Sequence, residues 1–158
     1  MIIPEIVNGL GSGAEESYIK FSEKNIGVSL PKLYLDCIRQ ADQGTFKNPA
    51  FSYIDPYSTI KRKTIIGGLV SFDPTDRYNI LRQYFLMPSF FPKNLLPIGI
   101  VGNGDYVCFD YSVSGFDDKD PPVVLWIHDN PEGKEIADIA INFEEFLNKL
   151  EPEEETDF

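Results

Sequence analysis

The sequence predicts an α+β fold: one domain, with a central, mainly antiparallel sheet and helices at both ends of the chain. Three observations predict it. Apolar residues recur at helical spacing near the two ends, in "SGAEESYIKFSEKNIG" and "INFEEFLNKL". Between them lie β-branched and aromatic runs separated by Asn, Asp, Gly and Pro. The chain has 158 residues, 42% hydrophobic and 13% aromatic, which fits one domain and is enough to fill its core. Helices at the ends with strands between them make the α+β class.

The elements follow in order. Ser12 and Glu15 have capping-box spacing, Tyr18 and Phe21 share a face, and Asn25 to Gly27 supplies a stop, so a first helix runs from Ser12. In "SLPKLYLDCIRQADQG", Pro31 suits the first helical position, Tyr34, Ile38 and Ala41 follow at helical spacing beside Leu35, and Gly44 closes the helix. "FSYI" and "TIIGGLVSF" read as strands broken by Asn48-Pro49 and Asp55-Pro56. "DPTDRYNILRQYFLMP" returns to helix, with Asp73 as cap, Pro74 in the first turn and Pro88 as stop. "LLPIGIV", "DYVCFDYS" and "PPVVLWIHD" are three further strands. In the last helix Asn142 caps, Glu145 completes the box, and Ile141 staples onto Phe146. Its apolar face is Phe143, Phe146, Leu147 and Leu150. Residues 1–150 form the domain; 151–158, "EPEEETDF", form an acidic tail with little to bury, expected to fray.

The glycine-rich stretch "GIVGNGDYVCFDYS" decides between chemistry and structure. A phosphate-binding P-loop needs a lysine and a hydroxyl after its second glycine, and here Asp105 and Tyr106 follow. A dinucleotide fingerprint leads into a helix N-terminus, whereas "DYVCFDYS" is strand-like. Asn103-Gly104 between alternating strands predicts a hairpin with positive φ at both residues. The second strand then sends Val107, Phe109 and Tyr111 to one face and Tyr106, Cys108 and Asp110 to the other.

Catalysis finds little footing. His128 is the only histidine, so any dyad with Cys108 or Asp110 must use it, and its place at a strand end beside Val124 and Trp126 reads as structural. Cys37, Cys108 and His128 are scattered and lack zinc-ligand spacing. No catalytic residue, metal or cofactor is expected. Cys37 and Cys108 are expected to be reduced and buried.

Charge points to a partner. The net charge is −11, and residues 129–158 hold 11 acids against 2 bases. That balance opposes nucleic acid and anionic lipid and favours a basic partner. No apolar run reaches the length of a membrane helix, and the start has no basic leader, so the expected compartment is the cytoplasm.

"LPKLYLDCI", "LLPIGIVGNGDYVCFDYS", "PPVVLWIHD" and "INFEEFLNKL" occur in the order typical of the SUKH superfamily, and from Ser12 to Leu150 the chain resembles it. These are bacterial toxin-immunity proteins related to a yeast cell-wall assembly regulator. One departure is "ADQGTF", with only Gly44, where the family often has Asn-Gly-Gly after the Leu-Pro helix. The resemblance implies a central-sheet α+β domain that binds and neutralises a cognate protein toxin, often a nuclease, without catalysis. An intracellular regulatory or ligand-binding module of the same fold is the alternative. The expected contact residues are Asp110, Tyr111, Asp117, Asp118 and Asp120: aspartates to pair with toxin arginines, a tyrosine to supply rigid area.

Overall fold

Four strands, β5 (Leu95–Ile100), β6 (Tyr106–Asp110), β7 (Val123–Trp126) and β8 (Ile136–Ala140), pair in chain order as an antiparallel meander. The computed structural model describes residues 5–7, 12–113 and 115–153. Ahead of the meander come β1 (Ile6–Val7), α1 (Glu16–Ile26), α2 (Lys32–Gln40), β2 (Thr45–Phe46), β3 (Ala50–Ile54), β4 (Lys61–Ile65) and α3 (Ile80–Phe85). After it comes α4 (Phe143–Asn148). β1 pairs with β2 and β3 with β4, both antiparallel. The α+β architecture with helices towards both ends is the predicted one.

The register explains why the meander strands are apolar almost throughout. Val107 lies opposite Leu125, and Leu125 opposite Ala137. Leu96, Ile98, Val107, Phe109, Val123, Leu125, Ala137 and Ile139 enter the main core with residues of α1, α2 and α4. The alternate positions Leu95, Cys108, Val124 and Trp126 join Phe91 in a second, smaller cluster. Both faces are therefore covered, and side-chain alternation sorts two cores rather than core from solvent.

Tyr34 of α2 centres the main core. Its ring meets Phe109 at 5.2 Å and Phe143 at 5.5 Å, both edge to face, the arrangement the ring quadrupoles favour. α4 adds Phe143, Phe146 and Leu147, all buried, each stabilising the fold by roughly 1.5–3 kcal/mol. Asn142 caps it by accepting from the Glu145 N–H at 2.9 Å. Ile141, however, is 70% exposed, so no staple forms over Phe146. Ile141 leaves β8 on the solvent side, and its N–H reaches the Glu145 carboxylate instead.

Several expected boundaries move. α1 starts at Glu16 with Glu15 as a cap that makes no side-chain bond, so the Ser12 capping box does not form. The backbone there pairs with α2 and its exit: Ala14 N–H donates to the Ile38 carbonyl at 2.8 Å, and Asp42 N–H to that of Ser12 at 3.1 Å. Pro31 is the cap of α2 and not its first helical residue, and α2 ends at Gln40 with Ala41 as its C-cap, before Gly44. α3 is short. Asp73 accepts from the Thr75 N–H in a local turn, and Asn79 is the helix cap, accepting from Arg82 N–H at 3.1 Å.

"TIIGGLVSF" is not one strand. β4 ends at Ile65, and residues 67–70 then run beside β5, with Gly67 N–H to Ile100 O at 2.7 Å and Val70 N–H to Ile98 O at 2.9 Å. The sequence reading also missed β8. Glu151, the first residue of the expected tail, exchanges two backbone bonds with Ala50, and its carboxylate meets Lys63 at 3.0 Å. Residues 154–158, the rest of the expected tail, lie outside the described residues.

Candidate functional site

The five expected contact residues sit at one end of β6 and in the loop after it. Asp110 closes the strand, and its carboxylate accepts the Ser112 N–H at 2.9 Å. Tyr111 departs from expectation. It is 1% exposed, its ring packs on Phe109 and Phe116, and burial pushes its phenol well above the usual tyrosine range. It belongs to the core face of β6, as its alternation with Val107 and Phe109 already implied, and supplies no contact area.

The aspartates behave differently. Asp117 and Asp120 are exposed and Asp118 is half-buried. Asp118 accepts the Asp120 N–H at 2.9 Å, and Asp120 accepts the Asn142 side-chain N–H at 3.1 Å. Asn142 thus holds two things with one amide: its oxygen caps α4 and its nitrogen tethers the acidic loop. None of the three aspartates makes an ion pair among the described residues; Glu144 and Glu145 stand in the adjoining first turn of α4, Glu145 paired with Lys149 at 3.0 Å. The structure therefore brings the loop acids and the α4 acids together through Asn142, a link the sequence did not announce.

A polar cluster occupies the other end of β6. Asp105, only 3% exposed, accepts from the His128 backbone N–H at 3.1 Å, lies 2.6 Å from His128 Nδ1, and accepts from the Asn103 amide at 3.1 Å. The turn that delivers it is a three-residue hairpin loop closed by Val101 and Asp105, with Gly104 N–H returning to Val101 O. Only Gly104 has positive φ, at 98°, so the turn is of the three-residue kind and not the two-residue Asn-Gly kind expected. A side chain at Gly104 would also press on the His128 ring. Register accounts for the pairing: Tyr106 lies opposite Trp126, so Asp105 and His128 emerge together just beyond it.

This geometry separates His128 from both partners considered for it. Asp110 lies at the far end of β6, about 16 Å of strand away from Asp105. Cys108 is fully buried, its thiol within 3.6 Å of the Tyr106 carbonyl, and burial pushes it well up. Cys37 is pushed up to about 12 by burial. Reactive thiols need the opposite shift. The second ring nitrogen of His128 meets Asp129 at 3.1 Å.

Asp55 makes a third knot, also unforeseen. It is buried and accepts from Tyr57 N–H at 2.8 Å, Asn130 Nδ2 at 2.9 Å and Arg62 Nε at 3.1 Å. The Tyr57 N–H, then the Asn130 and Arg62 donors, outweigh desolvation and lower its carboxyl to about 2. It ties the β3–β4 hairpin to the loop after β7. The signal was present in Asp55-Pro56, a turn opening with an aspartate.

A family model described as the SMI1 / KNR4 family (SUKH-1) matches residues 13–149, so the chain belongs to that family. No curated protein matches the chain.

Proposed function

We propose that this SUKH-1 family member is an immunity protein, which binds a cognate basic protein toxin inside the cell and silences it by occupying its surface. The observation that carries the reading is the aspartate loop, Asp117, Asp118 and Asp120 against the single Lys119, tethered to the cap of α4 beside Glu144 and Glu145. A toxin that grips phosphates is cationic at its working surface. A fixed acidic patch steers encounter with such a surface and pairs with its arginines. Tyr111 is buried against Phe116 of the same loop and takes no part in the contact.

The buried thiols with raised pKa and the His128 ring held by two aspartates support a role in binding without bond-making. Co-expression tests the reading. The chain should protect cells from the toxin encoded beside its gene, and Asp117→Asn/Asp118→Asn/Asp120→Asn should protect less. Absence of protection and of a complex with any adjacent toxin would overturn it.

A further inference from the structure

A groove of about 530 Å³ opens on the second face of the sheet, away from the aspartate loop. Ser89, Phe90, Trp126, His128, Glu132 and Glu135 line it. Phe90 is 73% exposed and stacks on Trp126, ring centroids 6.3 Å apart and planes 22° from parallel. An aromatic ring held flat by a buried indole and open on its other side is a preformed stacking platform. Two carboxylates share the groove, and no lysine or arginine lines it. Glu135 lines the groove with one carboxylate oxygen, Oε2, withdrawn from solvent and without a hydrogen-bond donor among the described residues.

The neighbouring donors are committed elsewhere. The Asn130 amide donates to Asp55 and to the Lys134 carbonyl, both at 2.9 Å, and the His128 nitrogens face Asp105 and Asp129. One occupant satisfies the ring face and the two carboxylates together. A guanidinium is planar, stacks on aromatic faces and donates in pairs to carboxylates; an ammonium cannot do both.

We propose that this groove accepts an arginine side chain of the partner protein, stacked on Phe90 and bonded to Glu135, with Glu132 at the rim. The proposal rests on the binding-protein reading above and names an anchor for it at a second place on the surface. Arginine and aromatic anchors seated in pockets dominate many interfaces.

Trp126, the only tryptophan, is a built-in reporter. The full chain is titrated with N-acetyl-arginine amide at constant ionic strength while the indole N–H resonance is followed. Saturable movement with a Kd on the order of 1–10 mM is expected, the range open to one small anchor. The isosteric, uncharged citrulline amide and the lysine amide should bind at least about five-fold more weakly. Glu135→Gln and Phe90→Ala should each weaken arginine by a similar factor. Phe90 is exposed, so its removal leaves the fold intact. Unsaturable movement, equal binding of citrulline or lysine, or full affinity in both variants would overturn the proposal. If arginine binds as described but no toxin is neutralised, the groove stands and the immunity reading falls. If toxin is neutralised and arginine does not bind, the reverse holds.

Discussion

Asp105→Ala removes the acceptor that joins the β5–β6 turn to the end of β7. The loss can be worked from its three bonds. The His128 backbone N–H, part-buried at the end of β7, loses its acceptor, at about 1 kcal/mol. The Asn103 amide and the His128 ring each lose an acceptor, at roughly 0.5–1.5 kcal/mol net, reduced for the ring because it is 34% exposed and water can reach it. About 2–3 kcal/mol in all is expected, a fall in Tm of about 4–12 °C for a domain of this size. Asp105→Asn keeps one acceptor for the backbone N–H and should lose about half as much. Urea unfolding followed by Trp126 fluorescence reads both. A change within about 0.5 kcal/mol for Asp105→Ala would refute the reasoning, because it would mean the 2.6 Å contact does not hold the turn.

Three further outcomes follow from single groups. The Tyr34 hydroxyl is fully buried without a partner among the described residues, so Tyr34→Phe should raise stability by about 1 kcal/mol in urea melts; a loss would reveal an acceptor. Asp55 titrates at about 2 in the folded chain, below the ~3.9 of an unfolded aspartate. It therefore contributes stability that is fully present above roughly pH 4 and disappears as pH falls through 2, and urea midpoints for Asp55→Asn should lack that component. A Cβ at Gly13 would overlap the Arg39 carbonyl where the α1 entry pairs with α2, so Gly13→Ala should lower stability by about 2–3 kcal/mol, measured by thermal unfolding.

Much of the fold was legible because local chemistry and tertiary packing agree. Asn142 with Glu145 marks a helix start that the core accepts, since Phe143, Phe146 and Leu147 all point inward. The alternation of β6 sorts its residues correctly, and by the same rule Tyr111 belongs to the core although chemistry suggested the surface. The failures have physical causes. Asp73-Pro74 looks like a cap and first turn, yet the Asp73 carboxylate is satisfied within its own turn, and helix begins only at Asn79. β8 holds Asp138 and abuts a strong helix signal, so its five residues were hidden beside the cap. Asp105 and His128 are 23 positions apart, and only strand register makes them neighbours. Glu135 and Phe90 are farther apart still and share a groove only once the second sheet face is covered. The aspartate loop was visible as charge, but its tether to α4 was not.

The central claim, that a fixed acidic surface engages a basic partner, is tested most directly by association kinetics. The association rate constant of the chain with the toxin encoded beside it should fall at least about ten-fold between low and physiological ionic strength. Asp117→Asn/Asp118→Asn/Asp120→Asn should flatten that dependence and leave the dissociation rate nearly unchanged. An association rate indifferent to salt, or identical in the triple variant, would contradict the account.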